Sequence, residues 1–249
     1  MPWFEPPLPR LLAHRGFALE APENTLLAFL KALALGATYL ETDVHATRDG
    51  VAVISHDPDL SRIAGRSEQL GSLTLRELQQ IDLGCGQTFC TLAEALDAFP
   101  AARFNIDIKV LDAAAPAAQA ILEARATGRV LIGSFSGRRR RAAVRLLPGV
   151  ATSASTFQVV AALAGAKLGV RPLVRAAARG LDALQVPLRG AGMSIPTKRV
   201  IANLHAAGIE IHVWTINDVP TMLELLELGV DGIVTDRIDL ALELINDRN

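Results

Sequence analysis

Residues Leu40–Leu60 read LETDVHATRDGVAVISHDPDL. Glu41 and Asp43 stand two apart at the end of an apolar run. A strand turns alternate side chains to opposite faces, so both carboxylates leave the same face. Two like charges buried together repel, and desolvating them is costly unless a cation lies between them. A hard divalent cation with oxygen ligands answers that need. Just upstream, Ala13-His14-Arg15-Gly16 follows a short apolar run, and His56-Asp57 follows Val51–Ile54. They add two imidazoles for proton transfer and a guanidinium for an oxyanion. A carboxylate pair, two histidines and an arginine together point to metal-assisted phosphoester chemistry.

Outward from this stretch, short β-like runs alternate with longer Ala- and Leu-rich helical runs. Strands are predicted at Leu11–His14, Thr38–Asp43, Arg103–Lys109, Arg129–Gly133, Gly149–Ser153, Asp182–Val186, Glu210–Trp214 and Asp231–Thr235. Asn24 is placed to cap a helix over Thr25–Leu35 that Gly36 ends, and Thr91 opens Leu92–Phe99, which Pro100 closes. Ala113–Ala126 carries Pro116 in its first turn and Gly128 just past its end. Thr197–Ala207 ends at Gly208, and Asp218 precedes a helix that stops at Gly229. Strand–helix units in this number, within 249 residues and without a composition break, predict an α/β chain folded as a single-domain (β/α)8 TIM barrel, residues 1–249. A doubly wound open sheet is the structural alternative, but no G-x-G-x-x-G follows the first strand. One unit is irregular. Residues 57–90 hold a single short helical piece, Leu75–Ile81, and read as a small insertion after strand two that partly covers the site.

Active sites of such barrels form at the C-terminal strand ends, where polar residues collect in this chain. His14 ends strand one, Glu41 and Asp43 strand two, Asp107 and Lys109 strand three. Ser134 follows strand four, Gln185 ends strand six, Trp214 strand seven, and Thr235-Asp236 follow strand eight. In strand three, Asn105, Asp107 and Lys109 alternate with Phe104, Ile106 and Ile108, so the polar set faces the barrel axis. Asp107 and Lys109 could simply satisfy each other as a buried pair. The functional reading makes Asp107 a third metal carboxylate and Lys109 a phosphate contact, a set that suits Mg²⁺ or Ca²⁺ better than zinc. Trp214 is read as packing against substrate carbons, with a plug at the barrel top as the bland alternative. His45 lies in a turn region beyond the acidic pair, near the site or merely exposed. His205 and His212 read as structural.

The bounds agree. Mean hydropathy is +0.30, with half the residues apolar, yet no uninterrupted apolar stretch approaches the roughly 20 residues of a membrane span. The N-terminus, MPWFEPPLPRLLAHRG, has no apolar segment of signal-peptide length, so a cytoplasmic location and no membrane insertion are expected. Net charge −1 argues against a nucleic-acid partner. The basic cluster Arg138–Arg141 reads as a solvated helix face, or as a lure for an anionic substrate. Cys85 and Cys90, with four residues between them in a Gly-rich loop, read as two reduced, incidental thiols, with a small-loop disulfide as the alternative.

His14-Arg15-Gly16, Pro22-Glu23-Asn24-Thr25, Glu41-Thr42-Asp43-Val44, Thr47-Arg48-Asp49-Gly50 and His56-Asp57-Pro58 resemble the glycerophosphodiester phosphodiesterase family. Asn105-Ile106-Asp107-Ile108-Lys109, Ser134-Phe135, Val213-Trp214-Thr215-Ile216-Asn217 and Gly229–Asp236 continue that resemblance in order, over nearly the whole chain. It implies a TIM barrel that hydrolyses glycerophosphodiesters to glycerol 3-phosphate and an alcohol with a divalent metal. Glu41, Asp43 and Asp107 would bind metal, His14 and His56 would be the acid–base pair, and Arg15 and Lys109 would hold the phosphate. The family commonly has Glu where this chain has Asp107, a shorter arm that binds through a water or draws the metal toward strand three. Two other readings share the motifs: a lysophospholipase D-like activity on single-chain lipids, and a non-catalytic phosphate-binding barrel.

Overall fold

The computed structural model describes residues 2–190 and 192–247. Its strands are β1 (Arg10–His14), β2 (Tyr39–Ala46), β3 (Ala52–Ile54), β4 (Arg103–Ile108), β5 (Val130–Gly133) and β6 (Ala151–Thr152). β7 (Ala183–Pro187), β8 (Arg189–Gly190), β9 (Met193–Ser194), β10 (Glu210–Trp214) and β11 (Gly232–Thr235) follow. Eight of them run parallel in the order β6-β5-β4-β2-β1-β11-β10-β7. A parallel bridge from Ser153 to Ala183 joins the two ends of that order. The Asp182 N–H donates to the Thr152 carbonyl and the Ala154 N–H to the Ala183 carbonyl, both at 2.9 Å, completing the ring. This is a (β/α)8 barrel; a doubly wound sheet would leave those edges unpaired.

The helices in chain order are α1 (Leu26–Ala34), α2 (Ser61–Ala64), α3 (Leu75–Leu78), α4 (Leu92–Ala98), α5 (Ala114–Glu123) and α6 (Gly137–Val144). α7 (Thr156–Leu168), α8 (Arg171–Ala177), α9 (Lys198–His205), α10 (Val219–Leu228) and α11 (Ile238–Asn246) complete them. Thr91 caps α4 through a capping box with Glu94, and Asp218 caps α10 by accepting from the Thr221 N–H. At α1 the expectation is corrected. The cap is Thr25, whose hydroxyl accepts from the Ala28 N–H, and Asn24 sits before it at φ 58° with its side chain turned into the barrel. Gly128 does not end α5, which stops at Glu123 with Arg125 at φ 51° beyond it. Arg140 is a third correction. It is buried, donating to Thr152 and Gln158 at 3.1 Å each and to Ser155 at 3.3 Å, while Arg138 and Arg141 stay exposed.

The chain from 57 to 90 holds α2, a 3-10 turn at Leu70–Ser72 and α3. Its own apolar cluster of Leu60, Leu70, Leu78, Ile81 and Phe89 packs on Val53 of β3, which pairs antiparallel with the end of β2. Leu75–Ile81 thus contains one true helix, shorter than predicted.

Strand parity divides the apolar residues into two cores. Outward side chains such as Leu40, Phe104, Ile106, Ile132, Leu184 and Val213 meet the helices in the large core. Inside the ring, Leu12, Leu131, Ala151, Ala183 and Val234 form a small core closed from below by Trp3, which is 0% exposed. Small inward residues leave room for that indole and for the His212 ring, which lies where a Cβ on Gly232 would sit.

The same end carries a satisfied polar network. Arg10, almost wholly buried, grips Glu210 through two 2.7 Å contacts and donates to the Tyr39 hydroxyl at 2.7 Å; Tyr39 donates to the Trp3 carbonyl. His212 adds a 3.0 Å contact to Glu210. Burial opposes the Glu210 charge, but Arg10 and His212 outweigh it and hold the carboxyl down at about 2. A carboxyl depressed on folding stabilises above its unfolded value, near 4.3, and that stabilisation is lost as pH falls through the folded value. Glu210→Gln is expected to cost about 1–2 kcal/mol at pH 7, since the carboxylate is partly open to solvent. Urea titrations of both proteins should converge between about pH 4.3 and about pH 2; a pH-independent gap would refute the account.

Candidate active site

At the opposite end the strands deliver their last inward residues to one cavity of about 380 Å³, a size ordinary for small-molecule sites. All eight residues singled out in the sequence line it: His14, Arg15, Glu41, Asp43, His56, Asp107, Lys109 and Trp214. The wall is divided. Charged groups crowd the β1–β2–β4 side, while Phe135, Ala154, Val159, Val160 and Pro187 make the other side apolar. Phe135 and Trp214 meet edge to face with ring centroids 6.0 Å apart.

Register on β2 and β4 sets Glu41 beside Asn105 and Asp43 beside Asp107. Lys109 answers part of the resulting charge, its Nζ lying 2.8 Å from both Asp43 and Asp107. Burial works against that ammonium, but Asp43 and then Asp107 outweigh it and raise its pKa. Asp43 also accepts from Asn24 Nδ2 at 3.1 Å, and Asn24 Oδ1 accepts from the Thr42 hydroxyl at 2.8 Å. Arg15 Nε stands 3.4 Å from Asp43, within ion-pairing range but without hydrogen-bond geometry. Glu41 has weaker support. It accepts the Arg15 backbone N–H at 3.3 Å and lies 3.9 Å from His14 Nε2. Burial first, and the Asp43 charge second, push its carboxyl up to about 8. Beside it, Asn105 Oδ1 is buried with no hydrogen-bond partner. Among the described residues no group of three or more His, Cys, Asp or Glu side chains is arranged to hold a metal ion, and the Lys109 ammonium stands between Asp43 and Asp107.

Each histidine is backed by a carboxylate. His14 Nδ1 is 2.6 Å from Asp236, which leaves Nε2 for the cavity. Burial opposes its charged form, yet Asp236 and Glu41 outweigh it and raise the imidazole above the ordinary histidine value. His56 Nδ1 is 2.7 Å from Asp57. Asp57 binds Arg62 Nε at 2.6 Å, Arg62 binds Glu23, and Glu23 binds Arg15 at 3.0 Å. Arg62, from α2, thereby ties the His56 loop to the His14 loop.

Three of these partners received no role from the sequence. Asp236 was visible as an inward residue two beyond Val234, and Asp57 as the neighbour of His56, but partnership across the ring leaves no local signal. Asn24 was hidden by its resemblance to a helix cap. His45 is not in a turn: it is buried on β2, and its Nε2 lies 3.2 Å from the His56 carbonyl. His205 pairs with Asp231 at 2.8 Å and His212 with Glu210, both away from the cavity. Cys85 and Cys90 are free, and burial pushes the Cys90 thiol up to about 12.

The fold is shared with solved phosphodiesterases. A glycerophosphodiester phosphodiesterase from Agrobacterium tumefaciens superposes with TM-score 0.78 at 25% identity, over 95% of this chain and 100% of its own. An Oleispira antarctica phosphodiesterase in complex with the product sn-glycerol-3-phosphate gives TM-score 0.78 at 24% identity, over 96% and 97%. With histidine–carboxylate pairs facing a cavity in which Arg15 and Lys109 stand among three carboxylates, the chain is an enzyme of the barrel phosphodiesterase class. A sequence profile of the glycerophosphoryl diester phosphodiesterase family matches residues 14–240. The "Probable glycerophosphodiester phosphodiesterase 2" of Mycobacterium tuberculosis is 44% identical over 94% of this chain and 89% of its own length. The chain belongs to the glycerophosphoryl diester phosphodiesterase family.

The His14–Asp236 contact gives a directional test. Asp236→Asn removes the charge that raises the imidazole, so the protonated form is lost at lower pH. The alkaline limb of the kcat/KM profile is expected to move to lower pH, with His56-dependent features unchanged. An unmoved alkaline limb would show that His14 does not act in its protonated form.

Proposed function

We propose that this chain hydrolyses glycerophosphodiesters to sn-glycerol 3-phosphate and an alcohol, acting in the cytoplasm as one domain with 57–90 as its small insertion. The observation that carries the reading is the cavity in which two carboxylate-backed imidazoles face Arg15 and Lys109. The donor chemistry suits a divalent cation, Mg²⁺ or Ca²⁺, although Lys109 stands between Asp43 and Asp107 in the present arrangement. Glu41 is buried and raised to about 8 without a cationic side chain in hydrogen-bond contact, and Asn105 Oδ1 beside it lacks a donor. Glu41, Asp43 and Asp107 would hold the ion, whose charge, when bound, would offset the charge that develops on the phosphate oxygens.

The side chains divide the remaining work. Arg15 and Lys109 bind non-bridging oxygens and orient the diester. His56, oriented by Asp57, takes a proton from the nucleophile, which is water or the glycerol 2-hydroxyl. In the second case a cyclic phosphate forms and is then opened. His14, held as imidazolium by Asp236, gives a proton from Nε2 to the leaving alkoxide. Trp214 and Phe135 pack against the carbon skeleton and keep water out. With a residue in the cavity for each role, a non-catalytic phosphate-binding barrel is set aside. The apolar wall of Phe135, Val159 and Val160 favours a second reading, lysophospholipase D-like action on single-chain lipids.

A hydrolysis panel of glycerophosphocholine, glycerophosphoglycerol and lysophosphatidylcholine with Mg²⁺, Ca²⁺ or EDTA tests both. Release of glycerol 3-phosphate from the water-soluble diesters, abolished by EDTA, is the expected result; equal turnover in EDTA would sink the metal. Glu41→Ala, Asp43→Ala and Asp107→Ala should each lose most activity together with divalent-ion affinity by calorimetry. His14→Ala and His56→Ala should each lower kcat by about 10²–10⁴-fold, and His205→Ala should not.

Trp214 separates substrate shape from bulk stability. Trp214→Ala should raise KM for a glycerodiester and leave a generic aryl phosphodiester nearly unaffected. Equal losses on both substrates with a lower Tm would make Trp214 a plug instead.

A further inference from the structure

The near-zero net charge hides a sharp segregation. Residues 125–209 hold 14 of the 25 lysines and arginines but one of the 26 acidic residues, Asp182, so this arc carries a formal +13 and the remainder −14. The arc runs from just before β5 to just before β10, and its catalytic end forms the apolar wall of the active-site cavity.

Large apolar side chains stand in the open at that end. Phe157 is 83% exposed, Phe135 and Val160 are each 61% exposed, and Met193, on the β8–β9 hairpin, is 58% exposed. The first two belong to one surface, because the Phe135 carbonyl accepts both the Thr156 N–H at 3.1 Å and its hydroxyl at 3.0 Å. Scattered exposed leucines need no explanation, but aromatic and aliphatic groups gathered at a pocket mouth mark a contact surface.

The cations beside them point to what the contact is. Arg138 and Arg139 lie in the first turn of α6, where the positive end of the helix disfavours them. Buried Arg140 is satisfied by Thr152, Ser155 and Gln158, whereas Arg138 and Arg139 find no acidic partner among the described residues, nor does exposed Arg189. An anionic layer with an apolar interior satisfies all of these groups at once: phosphates meet the arginines and the helix end, and Phe157 and its neighbours enter the headgroup–acyl boundary. A second copy of this face would bring like charge against like.

We propose that the rim formed by Phe157, Val160, Met193, Arg138, Arg139 and Arg189 docks the enzyme reversibly on an anionic lipid bilayer, with the active-site mouth turned to the headgroups. No helix among the described residues is long and apolar enough to cross a membrane, so the contact is peripheral. It requires neither the metal nor the reaction proposed above, and the test reads binding rather than turnover.

Flotation with vesicles of phosphatidylcholine and phosphatidylglycerol in equal parts, against phosphatidylcholine alone, is the experiment. The full chain is expected to float with the mixed vesicles at low ionic strength, to be released by high salt, and to ignore the neutral ones. The pair Arg138→Glu/Arg139→Glu and, separately, Phe157→Ser should each weaken partitioning roughly tenfold or more, with Tm and turnover of a water-soluble diester unchanged. Absence of flotation in the wild type, or equal flotation in both variants, overturns the proposal. So does tighter retention by a single-stranded oligonucleotide than by vesicles, which would assign the arc to nucleic acid.

Discussion

Repulsion between Glu41 and Asp43, two carboxylates that the two-residue period of a strand forces onto one buried face, is the constraint to which the rest of the site responds. In a water-excluded barrel end such a pair cannot stay fully charged on its own. Lys109 reaches over to Asp43, Asn24 abandons the cap position to donate to it, and Arg15 ranges alongside. Those contacts all favour Asp43, which leaves Glu41 to carry the raised pKa. The remaining deficit of positive charge lies between Glu41, Asn105 Oδ1 and His14. That is where an oxygen-seeking cation and a phosphodiester have most to gain.

The other end of the barrel shows what the same strands do when no ligand is to be met. There Glu210, at the first inward position of β10, is gripped by two Arg10 nitrogens and by His212, and Tyr39 and Trp3 close the network from below. Its carboxyl falls to about 2 where that of Glu41 rises to about 8. Both are half-buried or buried glutamates on inward positions of the same ring. The difference is whether the chain supplies a matched guanidinium. A polar group left incomplete inside an otherwise satisfied core is a cost that only binding removes.

Strand parity made most of this legible in the sequence. Asn105, Asp107 and Lys109 alternate with Phe104, Ile106 and Ile108, and that alternation alone predicted that the polar three face inward, where they line the cavity. What local pattern could not convey were partnerships across the ring. Asp236 is 222 residues from His14, and Glu23 meets Arg62 across 39. Asn24 was misread because a helix does begin at the next residue, and a left-handed φ frees its amide for Asp43. His45 was misread because β3 folds back on β2 and prolongs the strand beyond the carboxylates. Arg140 was misread because four consecutive arginines on a helix cannot all face one way.

Charge distribution sets the last relation between fold and chemistry. A net charge of −1 suggests a chain indifferent to polyanions, but that number averages two unlike parts. The acidic part contributes β1, β2, β4, β10 and β11, and with them the carboxylates bound to His14 and His56 and the Glu41–Asp43–Asp107 set. The basic arc contributes β5, β6 and β7 and, with them, Ser134, Gln185 and the apolar wall. The cavity opens along the seam. On the charged side of that seam Arg15 and Lys109 stand among the three carboxylates, and on the basic side the wall is apolar. The basic arc and the charged side of the cavity thus belong to different parts of one barrel, so charge reversal at Arg138 and Arg139 leaves the groups around the cavity in place.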